Sequence, residues 1–329
     1  MEEYNNSKLR YKRTLRKKRR RRVFFTVIMF FLILTISAFS VMAYKSISAL
    51  DSTYQEISRG DKSKLRDEKV EITNDPFSIL ILGVEDYSDK NDKGRSDTLM
   101  VATLDPKDQS MKLVSIPRDT LVSIPEYGED KINHSYAYGG KELVIETVED
   151  YLDLPIDYYV TVNFDGFKEI IDEVGGVDVN VPFDFSDINN KREEFHFYEG
   201  MQKLNGEEAL VYARMRKQDP RGDFGRNERQ RQIVTGLLDK VLSPNTFLKV
   251  DDIANVVGDN IQTNMKVKEG LGLLQKFSGF STSSIQQIEF TGEDQYYDNV
   301  YYFKPSEESL NEITSELQSH LDYSKNETN

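Results

Sequence analysis

Short apolar runs separated by polar turns open the folded part of the chain beyond residue 76. The continuous apolar run FSILILGV at 77–84 predicts a strand that is buried on both faces. Two further apolar runs, at 98–104 and 111–116, flank the turn sequence DPKDQS. This arrangement predicts a hairpin with a longer loop.

Helical and strand patterns alternate after this hairpin. The segment 141–152 has a helical period, 156–164 predicts a strand, 165–174 a helix and 175–182 a further strand. A helix–strand–helix–strand order after a hairpin favours a mixed sheet covered by helices. The pattern therefore places the chain in the α/β class.

The remaining segments complete one domain in this interpretation. Residues 183–203 have no clear period and are expected to be irregular, and 205–216 is predicted to be a helix or a strand. Helices are predicted at 226–242, 246–258, 266–279 and 306–323, and late strands at 284–290 and 300–303. No internal repeat interrupts this succession, so one compact domain is the simplest interpretation.

The first 44 residues follow a different pattern. Residues 23–44 form an uncharged apolar run that is long enough to cross a bilayer, which takes about 20 helical residues. The run is long for a cleaved signal peptide, and no clear small-residue cleavage site follows it. Residues 1–22 carry 11 Lys and Arg side chains against two acids, and the positive-inside rule keeps such a tail in the cytoplasm. We expect a single-pass, type II signal anchor with residues 45–329 outside the cell.

Charge and composition exclude several classes of function. The formal net charge is −13 overall and −22 beyond residue 22, which makes the body of the chain a poor general binder of nucleic acid. There is no cysteine, so thiolate chemistry is excluded, and three scattered histidines do not favour a zinc site.

Six arginines lie between Ala213 and Gln232 of this acidic chain. Pairing with nearby acids on the surface would account for each of them separately. The apolar stripe of the following helix, however, continues back to Gln230 and Arg226, whereas Arg231 is expected to face solvent. Inward arginines near a helix N-terminus suit a buried or cleft-bound anion. Arg214 and Arg216 would share a face if their segment is extended.

Acidic and basic side chains also follow two of the predicted strands. They are Glu85, Asp86, Arg95 and Asp97 after the first strand, and Arg118 and Asp119 after another. Ligands of open α/β sheets commonly bind outside the strand ends. Carboxylates beside arginines suit a hard cation such as Mg²⁺ that bridges to phosphate oxygens. The sequence thus predicts a diphosphate held by arginines and a metal ion.

Six motifs then occur together in one order and spacing: GRSDTLMVATLDP, LVSIPRDT, DKINHSYAYGG, VNFDGFKEIIDEVGGVDV, LNGEEALVYARMR and GDFGRNERQRQ. In this combination residues 77–242 resemble the LytR-CpsA-Psr family, most closely its teichoic-acid transferase branch in Gram-positive bacteria. The resemblance implies a three-layer α/β/α sandwich with a mixed central sheet and an apolar pocket for a polyprenyl chain. It also implies transfer of an anionic glycopolymer, such as wall teichoic acid, from an undecaprenyl-pyrophosphate carrier to N-acetylmuramic acid of peptidoglycan.

The resemblance also assigns roles to residues. It implies a pyrophosphate surrounded by Arg95, Arg118, Arg214, Arg216, Arg226 and Gln230. It implies that Asp97 helps hold Mg²⁺, together with Glu85 or the adjacent Asp86. Arg118, Asp97 and Asp223 are the predicted catalytic residues. The residue types leave Asp97, Asp119 and Asp223 as candidates for the group that accepts the hydroxyl proton.

These expectations define the predicted organisation of the whole chain in the cell membrane. It comprises a cytoplasmic basic tail (1–22), a transmembrane signal anchor (23–44), an extracytoplasmic stalk (45–75), a catalytic domain (76–322) and a C-terminal tail (323–329). A polyprenyl-pyrophosphate phosphatase, or a noncatalytic binder or regulator of lipid diphosphates, would use the same arginines. A DNA-binding regulator would fit the basic tail but not the apolar span or the acidic body.

Overall fold

The computed structural model describes residues 53–85, 94–243 and 260–324. Its strands are β1 (Phe77–Val84), β2 (Ser96–Asp105), β3 (Ser110–Ser115), β4 (Leu121–Ile124), β5 (Gly128–Lys131), β6 (Tyr158–Asn163), β7 (Val177–Val181), β8 (Phe185–Ile188), β9 (Glu194–Phe197), β10 (Gly200–Leu204), β11 (Ile261–Thr263), β12 (Gln286–Glu289), β13 (Gly292–Tyr297) and β14 (Val300–Pro305). Its α-helices are α1 (His134–Leu152), α2 (Phe164–Glu173), α3 (Gly206–Arg214), α4 (Asp223–Val241), α5 (Val267–Lys276) and α6 (Glu307–His320).

Six strands form a mixed central sheet in the order β11-β6-β1-β2-β3-β12. Strands β2 and β3 are antiparallel, as the predicted hairpin requires, and β1 is antiparallel to β2. Strand β6 runs parallel to β1 and β12 runs parallel to β3, whereas β11 is antiparallel to β6. The predicted α/β domain with a mixed sheet and helices is confirmed.

The pairing register brings three chain segments to one edge of this sheet. Val84, the last residue of β1, pairs with Ser96, the first residue of β2. Ser115, the last residue of β3, pairs with Met100 of β2. The residues that follow β1 and β3 therefore lie beside the start of β2, at the same edge.

Successive residues of the sheet enter two separate hydrophobic clusters, because side chains alternate along a strand. Leu99 and Val101 of β2 pack in one cluster with residues of α1 and α6. Met100 and Ala102 pack in another, against which residues of α4 and α5 are placed. The sheet thus buries apolar side chains on both faces, which explains the continuous apolar run of β1.

Residues 183–203 are not irregular, as the sequence led us to expect. They form β8, β9 and β10, and β10 pairs with β7 outside the central sheet. Phe185 and Phe197 stack with ring centroids 4.7 Å apart and pack on Tyr212 of α3. This third hydrophobic cluster is assembled from aromatic residues that are distant in the chain, so no local periodicity in the sequence predicts it.

Several other elements also differ from the sequence patterns. The segment 205–216 is mainly helix α3, which begins at an Asn205–Glu208 capping box. Helix α1 begins at His134 rather than near residue 141, with a kink where Gly140 takes a φ of 62°. Strands β4, β5 and β13 were not predicted. The helix predicted at 246–258 lies outside the described residues.

The predicted stalk is wrong for residues 53–75, which pack onto the domain. Ile57 and Ile72 are buried. Arg59 Nη1 lies 2.5 Å from the Glu149 carboxylate of α1, and Arg66 Nη2 lies 3.0 Å from the Asp157 carboxylate. The charged side chains that indicated a solvated stalk therefore belong in part to buried ion pairs. The packed domain begins well before residue 76.

Within the described ranges, none of the helices has the length and apolar character needed to cross a bilayer. The predicted span at 23–44 lies outside these ranges.

Candidate active site

An open cleft of about 1060 Å³ lies at the sheet edge where β1 and β3 end. Its charged lining is Glu85, Arg95, Asp97, Arg118, Asp119, Lys131, Arg216, Arg221, Asp223 and Asp294. The structure thus brings together residues from distant segments that the sequence had grouped by chemistry alone. Basic and acidic groups are equally represented, so the cleft can hold an anion and a cation side by side.

Five elements position these side chains. Glu85 follows β1, Asp97 is the second residue of β2, and Arg118 follows β3, so the sheet register places all three at one edge. Lys131 ends the short strand β5. Asp223 begins helix α4, where exposed backbone N–H groups favour negative charge.

A chain of ion pairs runs across the cleft. Arg118 Nη1 donates to Asp97 Oδ1 at 2.6 Å, and Lys131 Nζ donates to Asp119 Oδ1 at 2.7 Å. Arg216 lies between two acids, 3.7 Å from Asp119 and 3.4 Å from Asp223. Burial would lower the pKa of Arg118, but Asp97 and its acidic neighbours together raise that pKa above the ordinary value. The positive charge of Arg118 is therefore permanent.

One buried ion pair at the cleft consists of Asp223 and Arg226. Their side chains are only 6% and 5% exposed, and Arg226 Nη2 lies 2.7 Å from Asp223 Oδ1. Burial lowers the pKa of Arg226, and the Asp223 carboxylate opposes that shift. Among the described residues, both Asp223 oxygens, Nε and Nη2 of Arg226, and Nε of Arg118 have no hydrogen-bond partner of acceptable geometry. Buried polar groups are normally satisfied, so these atoms are available to a ligand.

The sequence model of the LytR_cpsA_psr family matches residues 40–319. The chain belongs to this family. It is 49% identical over 300 residues to a Bacillus subtilis (strain 168) protein named polyisoprenyl-teichoic acid–peptidoglycan teichoic acid transferase TagV, and this match covers 89% of the chain and 76% of TagV. The family membership that the motifs indicated is confirmed.

Two solved structures of TagT, a B. subtilis protein, are also similar. One is TagT bound to LIIa-WTA, with a TM-score of 0.70 and 33% identity over 82% of this chain and 100% of the TagT chain. The other is TagT with a bound octaprenyl pyrophosphate lipid, with a TM-score of 0.66 and 32% identity over the same shares of the two chains.

Two of the residues implied by the family resemblance lie behind the cleft lining. Arg226 is 4% exposed and reaches the cleft through Asp223. Gln230 lies one turn further along α4, is buried, and directs Nε2 toward the Ala213 carbonyl oxygen at 3.5 Å. The predicted inward direction of both side chains is confirmed.

Arg214 lies apart from the other arginines that the LytR-CpsA-Psr resemblance groups with it. It is the last residue of α3, so the extended segment that would place it beside Arg216 is not formed. Its Nη1 donates to Asn190 Oδ1 at 2.9 Å, and its guanidinium lies 5.1 Å from the ring centroid of Phe164. These residues line a second, smaller pocket of about 230 Å³.

The prediction that Arg231 faces solvent is wrong. Its side chain is 3% exposed; Nη1 donates to Ser115 Oγ and Nε to Gln287 Oε1, each at 3.1 Å, and Nη2 pairs with Glu289. Strands β3 and β12 supply these partners. Helix α4 is covered on more than one side, so a single apolar stripe did not reveal all its buried positions.

Sequence reasoning also missed Arg229, which is 1% exposed. Its guanidinium pairs with the buried Asp219, donates from Nε to the Tyr212 carbonyl at 3.1 Å, and donates from Nη2 to the Met215 carbonyl. The spacing could have indicated it, because Arg229 lies four residues before Ile233 of the apolar stripe. These bonds hold the segment that carries Arg216 against α4.

The predicted metal ligands are only partly described. Glu85 and Asp97 line the cleft, whereas Asp86 lies outside the described residues. In the described part of the chain, no group of three or more acidic, histidine or cysteine side chains is arranged to hold a metal ion. Any divalent cation here would need further oxygen ligands from a bound diphosphate or from water.

A substitution at Gly225 tests whether the Asp219–Arg229 ion pair can move. A Cβ at Gly225 would overlap the Asp219 carboxylate, which is buried and held by Arg229. We expect Gly225→Ala to lower the free energy of unfolding by about 1–3 kcal/mol, the usual cost of overpacking. Urea unfolding followed by circular dichroism measures this change.

Gly270→Ala is the matched control for this prediction. Gly270 also lies in a helix, but its nearest neighbour would be Met265 Sδ at 3.7 Å. This substitution should stabilise the chain by roughly 0.4–1 kcal/mol through the unfolded state. Equal effects at the two glycines would contradict the assigned role of Asp219.

Proposed function

We propose that this protein transfers an anionic glycopolymer, such as wall teichoic acid, from an undecaprenyl-pyrophosphate carrier to N-acetylmuramic acid of peptidoglycan. The observation that carries this proposal is the buried Asp223–Arg226 pair, whose unused donors and acceptors adjoin the arginines of the cleft. Such a site suits a diphosphate. The names of TagV and of the ligand-bound TagT structures support the same activity.

The proposed reaction is a phosphoryl transfer. The C6 hydroxyl oxygen of N-acetylmuramic acid attacks the phosphorus nearer the glycopolymer and forms a new P–O bond. The bond from that phosphorus to the bridging oxygen breaks, and undecaprenyl phosphate leaves with the electron pair. Arg118, Arg216 and Arg226 offset the charge that grows on the phosphate oxygens. The product is a phosphodiester between polymer and wall.

Asp223 is the best placed of the three candidate bases. Asp97 already accepts a hydrogen bond from Arg118, and Asp119 accepts one from Lys131. Both Asp223 oxygens are without a hydrogen bond from the described residues, and Asp223 lines the cleft. Ion pairs with Arg226 and Arg216 hold its carboxylate in the cleft, and it can accept the hydroxyl proton without first breaking a hydrogen bond.

Mg²⁺ is the proposed cofactor. Asp97 and Glu85 would hold it, with Asp86 as the alternative to Glu85, since carboxylate oxygens are ligands that this ion prefers. The ion would supply positive charge to the diphosphate oxygens. Glu85 and Asp97 both line the cleft, which supports this assignment.

We also propose the finer architecture and the location. The two hydrophobic clusters on opposite faces of the sheet support a three-layer α/β/α sandwich. The uncharged run at 23–44, after a strongly basic tail, supports a single signal anchor with the catalytic domain outside the cell membrane of a Gram-positive bacterium.

The arginine assignment is tested by transfer from a defined lipid-linked donor to purified wall fragments. Arg226→Ala removes charge-assisted hydrogen bonds worth about 1.5–3 kcal/mol, so transfer should slow roughly 10- to 150-fold. Arg216→Lys keeps the charge but loses the two-point fork, and should also slow transfer clearly.

Two further variants complete this test. Arg192→Asn is the control, because Arg192 is exposed in the β8–β9 turn with a φ of 63°, which asparagine tolerates; it should transfer at the normal rate. The resemblance predicts impairment by Arg214→Lys, whereas normal transfer would remove Arg214 from the diphosphate site. Equal transfer rates in all four variants would contradict the proposed binding of phosphate by these arginines. Free polymer phosphate as the product would instead indicate a phosphatase.

The metal proposal predicts that a chelator abolishes transfer and that added Mg²⁺ restores it. Asp97→Asn should shift the required Mg²⁺ concentration upward while circular dichroism stays unchanged. Full activity of the unmutated protein in excess chelator would rule out the proposed cofactor.

The location proposal predicts that protease added to intact, wall-stripped cells digests residues 45–329. Residues 1–22 should be protected, because the basic tail stays inside. Immunoblotting of an epitope tag at each end of the chain measures the digestion of residues 45–329 and the protection of residues 1–22. Protection of the C-terminal tag would overturn the orientation.

A further inference from the structure

Large apolar side chains are exposed in two segments beside the catalytic cleft. The exposed fractions are 53% for Tyr127, 42% for Tyr138, 68% for Tyr296 and 50% for Tyr297. Isolated exposed rings are ordinary on a protein surface, but a contiguous group of them marks a binding surface. A binding surface here therefore requires the four rings to be contiguous.

Contacts of Asp130 and Lys131, which are adjacent in β5, place the two segments side by side. Tyr127 and Tyr138 are stacked, with centroids 4.5 Å apart and planes 10° apart. In the β13–β14 hairpin, Tyr296 packs edge-on to Tyr301 and Tyr297 edge-on to Tyr302, each at 5.6 Å.

Lys131 Nζ lies 5.9 Å from the Tyr301 ring centroid and 5.5 Å from that of Tyr302. On the other side Tyr138 donates to the Asp130 carboxylate at 2.6 Å. We call these six rings (Tyr127, Tyr138, Tyr296, Tyr297, Tyr301 and Tyr302) the tyrosine belt. Tyr296 and Tyr301 line the cleft itself, so the belt leads directly to the proposed reaction site.

The charge around the belt selects among ligands. Residues 126–138 and 292–305 contain six acidic side chains and two lysines. Of these lysines, Lys131 is already bound to Asp119. A polyanion approaching this surface would be repelled. A sugar chain without phosphate would instead place its C–H faces on the rings and donate hydroxyl and amide hydrogens to the carboxylates.

We propose that the tyrosine belt binds the glycan strand of the peptidoglycan acceptor and aligns its hydroxyl with the cleft. This inference rests on the proposed function, because it assigns the second substrate of the same site. The anionic donor polymer is the alternative occupant, and the surrounding acids disfavour it.

The test compares acceptor and donor kinetics in the full-length protein. Tyr127→Ala and Tyr297→Ala alter exposed rings that do not line the cleft. Each should raise the KM for a soluble N-acetylglucosamine–N-acetylmuramic acid oligosaccharide about three- to tenfold, with the donor KM unchanged. Tyr297→Phe keeps the ring and should behave nearly as the unmutated protein. Tyr198→Ala is the matched control, because Tyr198 is 62% exposed and lies in the turn between β9 and β10.

Glycan binding without donor separates this inference from the proposed function. Co-sedimentation with insoluble peptidoglycan stripped of teichoic acid should fall for Tyr127→Ala and Tyr297→Ala but not for Tyr198→Ala. Unchanged co-sedimentation and acceptor KM would overturn the inference while leaving the transferase proposal intact. A raised donor KM instead would assign the belt to the glycopolymer and also overturn it. If the unmutated protein binds the glycan through the belt but transfers no polymer, the result would count against the proposed function alone.

Discussion

Placing fixed positive charge inside a folded domain requires a partner for each buried guanidinium, because an unpaired buried charge is strongly destabilising. Helix α4 buries three arginines within six residues, and each of them has an acidic partner. Arg229 is paired with Asp219, Arg231 with Glu289 and Arg226 with Asp223. Among these three, only Arg226 has donors without a hydrogen-bond partner in the described structure. The first two pairs stabilise the fold, and the third leaves binding capacity at the sheet edge.

The two satisfied pairs also help to position the cleft residues Arg118 and Arg216. Arg231 joins α4 to β3 and β12, and β3 leads directly into Arg118. Arg229 joins α4 to the carbonyl of Met215, next to Arg216. The helix thus determines the positions of Arg118 and Arg216 from behind. A diphosphate would meet donors that need little rearrangement, which is the condition under which electrostatic stabilisation is most effective.

The cleft and its rim differ in chemistry in a way that suits two unlike substrates. The floor consists of guanidinium and carboxylate groups, whereas the rim consists of tyrosine rings among acids. The charged donor would therefore bind among the charged groups of the cleft, and the sugar acceptor would bind on the tyrosine rings of the rim. Such a division favours correct orientation, because each substrate is disfavoured in the place of the other.

The sequence by itself determined the elements with a local signal: strand β1, the β2–β3 hairpin, the inward direction of Arg226 and Gln230, and the motifs that identify the family. Tertiary structure alone decided the burial of Arg231, whose partner Glu289 lies on a distant strand. It also decided the packing of residues 53–75, the separation of Arg214 from the cleft, and the assembly of the tyrosine belt. Periodicity shows how buried and exposed positions alternate within one element. A helix with several covered faces, or a surface built from two distant segments, depends on neighbours that are remote in the chain.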